Sequence, residues 1–404
     1  VFDAGGLSGV YTIGGASPSY NNLATAINAL HTQGICSSVI FNIRPGTYNE
    51  NIVINHIKGA DSTNTVTFKS EIGNTATING VFNPGTVVLD GAHDIIFDSI
   101  TISGNAISIK LQNDPCRNIS ILNSYIDNAI SAQATVHKFH VINCMVMDLI
   151  NIQPTWYADG CSDIRIENNF IQGKLFLFKV DGARVINNDI HDYVYLEFVY
   201  NFQIIGNKIE HLTNGSTGSS LTLRTLSSSL NRGLVENNFI YTSFIGASPI
   251  YYAPKSDATD YTDIFNNSLF VDNNSSGAKA LITTGNDNPN VLRFYNNNIQ
   301  MANTNPFISL GNNYSMFEFN NNNYYRSAPF VGNFAISAQT YSTIVNWQVA
   351  LGYDYNSYLT NPGFISGSSD LHIGTIYQLD GTGNSISNLS IDIDGDIRTP
   401  SYPD

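Results

Sequence analysis

A short pattern built around asparagine recurs through most of this 404-residue chain. Each copy has alternating apolar residues, then a central position, then another apolar residue three positions later. We call the central position the key column. Its ten members are Ser99, Asn123, Asn143, Asn168, Asn187, Gly206, Asn237, Asn266, Asn296 and Asn321. Eight of the ten are asparagine, whereas a chain with 52 asparagines in 404 residues would place about one there by chance.

The spacing of the key column predicts a solenoid. Ser99 and Asn321 are 222 residues apart over nine steps, or about 25 residues per unit. Period-two alternation within each unit predicts strands. Three short strands per coil, each pairing with its copy in the next coil, give an all-β parallel β-helix with coils about 4.8 Å apart.

The recurring asparagines have a physical reason to occupy one column. Asparagine tolerates left-handed backbone angles at a tight bend, and its amide both donates and accepts hydrogen bonds. We therefore predict that the key column, Asn187 included, forms a buried asparagine ladder along the axis.

The two ends of the chain lack the repeat, which indicates that they form caps on the two ends of the solenoid. Residues 1–35 contain an amphipathic helix over Tyr20 to Thr32, with Ser19 as N-cap and Gly34 as its stop. Residues 36–330 form the coils, and residues 331–404 form an irregular C-terminal cap anchored by Trp347. We expect residues 1–404 to form a single domain.

The asparagine column over residues 36–330 resembles that of the right-handed parallel β-helix proteins of the pectate-lyase-like superfamily. The resemblance implies a right-handed helix. It also implies that a saccharide would lie along one face, on outward side chains of the strand before the first turn.

Further segments resemble β-helix modules of secreted surface proteins of Bacteroidota. They are Tyr11 to Gly14, Leu23 to Ile27, Phe41 to Glu50 and Asp392 to Arg398. The resemblance implies a secreted or cell-surface location and an adhesive role. We expect a removed signal peptide, since the first nine residues carry no basic segment.

Charge and hydropathy exclude several partners. The net charge is -14, with 18 basic against 32 acidic residues, which opposes binding to nucleic acid or anionic membranes. No apolar run reaches the roughly 18 residues of a membrane span, so we expect no membrane insertion. We also expect a monomer.

Alternation places a set of polar and aromatic side chains on the outward face. The predicted saccharide-binding residues are Phe178, Tyr195, Glu197, Arg224, Tyr251 and Lys255. Exposed aromatic faces suit sugar rings. Glu197 and Arg224 fall on neighbouring coils, where the alternative is an ordinary surface ion pair.

Two functions remain open: a polysaccharide-binding module, which we favour, and a polysaccharide-degrading enzyme, a lyase before a glycoside hydrolase. An enzyme would draw its catalytic groups from Lys110, Tyr195, Glu197 and Arg224. No motif of a named lyase family is present. The longest insertions, at 211–220, 248–260 and 271–277, predict loops that wall a groove on this face.

A second outward column contains Arg165 and Arg184 on adjacent coils, where they could grip a carboxylate or sulfate. The alternative is that each pairs with an acid such as Glu167. Glycoside hydrolysis needs two carboxylates closer together than Glu167 and Glu236, which we place three coils or about 14 Å apart.

No cofactor is required by any motif. Asp392, Asp394 and Asp396 around Gly395 suggest a calcium site, although a solvated acidic turn is the more ordinary interpretation.

Four cysteines show no zinc-type spacing. They are interpreted as buried thiols, with one or two disulfides as the alternative in an exported protein. Cys116 and Cys161 lie two coils or about 10 Å apart, so we predict that they do not pair.

Overall fold

The computed structural model describes residues 5–81, 83–155, 160–212, 218–254, 259–272, 277–284, 290–312, 316–326, 333–367, 370–374, 379, 381–386 and 391–398. The chain divides into two compact units, Val1–Arg184 and Val185–Asp404. In both units each coil contains an A strand, then a B strand, then a C strand.

The N-terminal unit builds three parallel sheets, one from each strand type. Its A strands are Leu7–Ile13, Ile35–Ile43, Val66–Ser70, His93–Asp98, Cys116–Leu122, Val136–Ile142 and Cys161–Glu167. Its B strands are Gly46–Tyr48, Ala76–Asn79, Thr101–Ser103, Tyr125–Ile126, Met145–Val146 and Phe170–Ile171. Its C strands are Ile52–Asn55, Val87–Asp90, Ile107–Gln112, Ala129–Ala132, Ile150–Ile152 and Leu175–Phe178. One further strand, Val180–Ile186, spans the boundary of the units.

The C-terminal unit repeats the arrangement. Its A strands are Gln203–Ile205, Gly233–Glu236, Tyr261–Phe265, Val291–Tyr295 and Met316–Asn320. Its B strands are Asp189–Ile190, Lys208–His211, Phe239–Thr242, Ser268–Val271, Asn298–Met301 and Asn323–Arg326. Its C strands are Val194–Glu197, Leu221–Arg224, Ile250–Tyr252, Leu281–Thr283, Ile308–Leu310 and Phe334–Ile336, with Gln339–Tyr341 added antiparallel at the end.

Strands of one type pair in parallel with the same type in the next coil. Ile119 and Ile121, for example, lie opposite Phe139 and Val141, which keeps apolar residues in one inward column. The predicted all-β, right-handed parallel β-helix is therefore confirmed.

The key column forms the corner between the A and B strands. Its asparagines have left-handed backbone angles, with φ of 51° at Asn123 and 55° at Asn187, as the sequence predicts. The prediction that they are buried is wrong for most of the column: Asn123, Asn143, Asn168 and Asn187 are exposed, and only Asn237 is buried. A left-handed residue breaks the alternation, so the following residue points inward instead.

The buried asparagines form the column one residue later. In the C-terminal unit they are Asn188, Asn207, Asn238, Asn267, Asn297 and Asn322. From Asn188 to Asn297, each side-chain nitrogen lies 2.9 to 3.1 Å from the side-chain oxygen of the next residue in the column. The same column in the N-terminal unit reads Ser124, Cys144 and Asn169, and Asn169 accepts from the backbone N–H of Cys144 at 2.8 Å.

Aromatic side chains stack in register inside the N-terminal unit. The ring centroids of Phe41 and Phe68 are 5.1 Å apart, and those of Phe68 and Phe97 are 5.5 Å apart. All three side chains are fully buried. Parallel register thus aligns identical residues into a continuous core.

A helix caps the N-terminal unit. It spans Leu23–Gln33 and ends at Gly34, as predicted, but its N-cap is Asn22 rather than Ser19. The Asn22 side chain accepts from the backbone N–H of Thr25. Ser19 lies in the loop before the helix, and its backbone N–H donates to the hydroxyl oxygen of Thr12 on the strand Leu7–Ile13. The helix packs on the strands Leu7–Ile13 and Ile52–Asn55.

The C-terminal unit ends in a short helix, Ile344–Leu351, and an antiparallel hairpin, Phe364–Ser366 with Asp370–Ile373. Trp347 is fully buried and stacks on Phe334 with ring centroids 4.8 Å apart, which confirms its predicted anchoring role. Within the described residues, neither helix is long and apolar enough to cross a membrane.

All four cysteines are free, so the prediction that Cys116 and Cys161 do not pair is confirmed. Cys116 lies opposite Val136, and that coil stands between it and Cys161.

Candidate functional site

The outward face of the C strands in the C-terminal unit brings together most of the predicted binding residues. Register places Tyr195 opposite Thr222, and Thr222 opposite Tyr251. Residues paired across parallel strands point to the same face of the sheet, so these three side chains form one column across three coils. Thr222 is buried between its neighbours, and the two tyrosines are half-buried.

Glu197, Arg224 and Tyr195 form one hydrogen-bonded cluster. The Arg224 guanidinium lies 3.1 Å from the Glu197 carboxylate and donates to the Tyr195 hydroxyl oxygen at 2.8 Å. The side chain of Glu197 is 15% exposed and that of Arg224 is 27% exposed. The guanidinium therefore neutralises the carboxylate and orients the phenol, as the neighbouring-coil register of Glu197 and Arg224 predicts.

Tyr251 is held from the other side of the column. Its hydroxyl group lies 3.0 Å from the hydroxyl oxygen of Thr284. Tyr195 and Tyr251 are two coils apart, or about 10 Å by strand spacing. The face thus presents two oriented phenols with hydroxyl, carboxylate and guanidinium groups beside them.

Three predicted residues do not join this face. Phe178 is only 2% exposed, so the prediction that its ring is available to a sugar is wrong: alternation places it outward, but neighbouring atoms cover it. Lys110 lies in the N-terminal unit, on the strand Ile107–Gln112, where it is half-buried. Lys255 lies outside the described residues, as do parts of all three predicted wall-forming insertions.

Arg165 and Arg184 pair with neighbouring acids, which is the alternative to an anion-binding arginine pair that the sequence also allows. Arg165 lies 3.1 Å from Asp163, and Arg184 lies 3.3 Å from Glu167. Each guanidinium therefore already faces a carboxylate.

The C-terminal aspartates form a structured turn. The Asp392 carboxylate accepts from the backbone N–H groups of Asp394 and Asp396 at 3.0 and 2.8 Å. Asp394 lies 2.7 Å from the His372 ring. Burial alone would lower the pKa of His372, but Asp370 and Asp394 together raise it. Among the described residues no group of three or more metal-type ligands converges, and the calcium site stays a prediction.

A cleft of about 360 Å³ in the C-terminal unit was not predicted. It lies between key-column asparagines and two C-terminal segments, 371–373 and 391–398. Next to Asn237 in this region, burial raises the pKa of Glu236 to about 7, opposed by Arg398. Arg398 and Asn237 are 161 residues apart, so the repeat pattern carries no signal for their contact.

A second hollow lies in the N-terminal unit and measures about 670 Å³. The imidazole rings of His56 and His93 meet there edge to face, 5.0 Å apart, beside Arg117. Burial, with help from both neighbours, lowers the pKa of His93. His56 and His93 are far apart in the sequence and follow no metal-binding or catalytic spacing, so the sequence does not predict their contact.

No protein-family model and no curated protein matches the chain. Among solved structures, the chain is similar to the catalytic domain of a GH87 α-1,3-glucanase, with 12% identity, a TM-score of 0.43, and coverage of 89% of this chain and 68% of that chain. It is similar to pectate lyase Pel9A with 10% identity, a TM-score of 0.40, and coverage of 97% and 88%. For the pectin methylesterase from Aspergillus niger the values are 13%, 0.36, 72% and 86%. At these identities and TM-scores the similarities assign no activity to this chain.

Proposed function

We propose that this protein binds polysaccharide on the outward face of its C-terminal unit, along Tyr195, Thr222 and Tyr251. The observation that carries the proposal is the pair of oriented, half-buried tyrosines two coils apart in one outward column. A flat ring covers the C–H face of a sugar, while its hydroxyl group stays in contact with water or a partner.

The polar groups around the rings fit a hydroxyl-rich ligand. Arg224 offers donors, Glu197 offers acceptors, and Tyr251 and Thr284 carry hydroxyl groups that do both. Because Arg224 and Glu197 neutralise each other, the cluster adds hydrogen bonds without a net charge.

Binding is favoured over catalysis by the state of Glu197. A general base must be able to reach a substrate proton. The ion pair with Arg224 instead holds the Glu197 carboxylate against the guanidinium. We further propose that the chain acts outside the cell, as an adhesin-like or carbohydrate-binding part of a secreted or surface protein. Its low content of charged residues, 12%, and its resemblance to surface modules support this setting.

The proposal is tested by retention on affinity gels that contain neutral, uronate-containing or sulfated polysaccharides. Absorbance near 235 nm and reducing ends are followed in the same samples. We expect retention on at least one gel without new double bonds or reducing ends. Products would show an enzyme, and passage through every gel unretarded would contradict the proposal.

A further inference from the structure

The N-terminal unit has a polar edge whose asparagine side chains are exposed. We call it the asparagine edge, and it consists of Asn123, Asn143 and Asn168. Consecutive coils bring the first two into contact, since Asn143 donates to the side-chain oxygen of Asn123 at 3.2 Å. The edge therefore presents amide groups at the coil spacing of about 4.8 Å.

An apolar strip runs beside the edge. Two residues after each of the three asparagines stand Tyr125, Met145 and Phe170. Met145 is 45% exposed, and the other two are half-buried. A ligand lying on the edge would meet amides on one side and apolar side chains on the other.

The C-terminal unit has the same key-column corner, and there a segment of the chain occupies it. Asn321 donates to the carbonyl oxygen of Thr382 at 3.0 Å, and Asn237 donates to that of Ile391 at 2.9 Å. Arg398 returns a hydrogen bond to the Asn237 side-chain oxygen at 3.1 Å. As a result Asn237 is only 4% exposed.

A further contact of this corner, made by Asn296, shows that its asparagines pair with polypeptide backbone. Asn296 donates to the carbonyl oxygen of Asn384 and accepts from the backbone N–H of the same residue, both at 2.8 Å. An asparagine amide carries one donor side and one acceptor side, like a peptide group. Asn323 makes the same two-pronged contact with the backbone of Thr360, at 2.7 and 2.8 Å.

The residues beside the occupied corner are covered as well. Phe239, two residues after Asn237, meets the His372 ring edge to face with centroids 4.7 Å apart. Phe239 corresponds in position to Tyr125, Met145 and Phe170 of the apolar strip. In the C-terminal unit, chain segments therefore satisfy both the amides and the apolar neighbour.

From this correspondence we propose that the asparagine edge of the N-terminal unit is a docking site for an extended polypeptide segment. The amides of Asn143 and Asn168 pair with the backbone of the segment, and Met145 packs against one of its side chains. Backbone pairing of this kind gives affinity with little dependence on the bound sequence, as in strand addition to a sheet edge. The occupant is a peptide rather than a glycan, because each two-pronged contact matches the N–H and C=O groups of one backbone residue.

The probe is a synthetic peptide with the sequence of residues 379–398, carrying a photoreactive side chain at the position of Ile391. It is titrated into the full chain, crosslinked and mapped by mass spectrometry. We expect saturable binding and crosslinks within residues 123–147 and 168–171. Absence of binding would overturn the proposal, as would crosslinks confined to the C-terminal unit, which would indicate exchange with its own segment.

The test variant is N143G/N168G, because glycine keeps the left-handed angle and removes the amide, as Gly206 does naturally. We expect at least a tenfold loss of peptide affinity. The control is N113G, an exposed left-handed asparagine off the edge, which should bind as the parent does. M145K leaves the backbone untouched and should also weaken binding, so a misfolded double variant would not end the test.

Two further results would overturn the proposal. One is unchanged affinity in both N143G/N168G and M145K. The other is displacement of the peptide by a polysaccharide that the chain retains, which would make the edge a glycan subsite.

Discussion

The side-chain amide of Asn238 donates to the side-chain oxygen of Asn267 at 2.9 Å, and the backbone N–H of Asn238 donates to the same oxygen at 3.0 Å. Asn267 in turn donates to its neighbour Asn297. Both groups are buried, so each bond in the row satisfies atoms that water cannot reach.

Replacing Asn267 by Ala should lower the free energy of unfolding by about 1 to 3 kcal/mol. The change leaves the Asn238 amide and its backbone N–H without their acceptor. Urea unfolding followed by circular dichroism measures the difference. Asn187→Gly is the matched control: its side chain is exposed and glycine accepts φ of 55°, so we expect a change of only a few tenths of a kcal/mol. Equal losses in the two variants would contradict the assignment of the buried column.

The repeat predicts the fold because the residues of the key column favour the left-handed backbone angle that turns the chain between the A and B strands of each coil. The left-handed corner at Asn123 and its equivalents was predictable from asparagine alone. The inward direction was misassigned by one residue, because two adjacent asparagines, as in Asn187 and Asn188, fit the corner equally well by composition. Only the interruption of alternation at a left-handed residue shows that the second one points inward.

Glu236 should make stability fall as pH rises. Burial raises its folded-state pKa from 4.5 to about 7, so the folded state holds a proton that the unfolded state releases. The contribution is fully present below about pH 4.5 and is lost as pH rises through 7. It amounts to at most about 3 kcal/mol.

Chemical unfolding at pH values between 4.5 and 8 tests this linkage. Glu236→Gln should flatten the decline relative to the parent protein. The exposed Glu318→Gln controls for loss of a carboxylate in general. If both variants follow the pH profile of the parent, Glu236 is not the group responsible.

Three thiols should be unreactive in the folded chain. Burial raises the pKa of Cys116, Cys144 and Cys161 to about 11 in each case. The thiolate is the reactive form, so at pH 8 a thiol reagent should modify the half-buried Cys36 first. The other three should react only on unfolding, giving four thiols in total. Fast reaction of all four in the folded state would contradict the burial of these three thiols.

The candidate site was predictable where it depends on coil register and not where it depends on chain packing. Glu197 and Arg224 pair because successive coils place them side by side. Phe178 was misjudged because alternation gives direction but not coverage. The contact of Arg398 with Asn237 joins the C-terminal segment to the coils, and no periodic signal reports such a contact.

The central claim is that Tyr195 and Tyr251 bind polysaccharide. The most direct measurement is calorimetric titration of a retained polysaccharide into the parent chain, the Y195A/Y251A variant and the control Y355A, which removes an exposed tyrosine from the C-terminal cap. Both target side chains lie on the outward face, so the melting temperature should change little. We predict at least about a thirtyfold loss of affinity for Y195A/Y251A, since each of the two lost ring contacts is worth roughly 1 kcal/mol or more, and no loss for Y355A. Parent-like affinity in Y195A/Y251A would contradict the account.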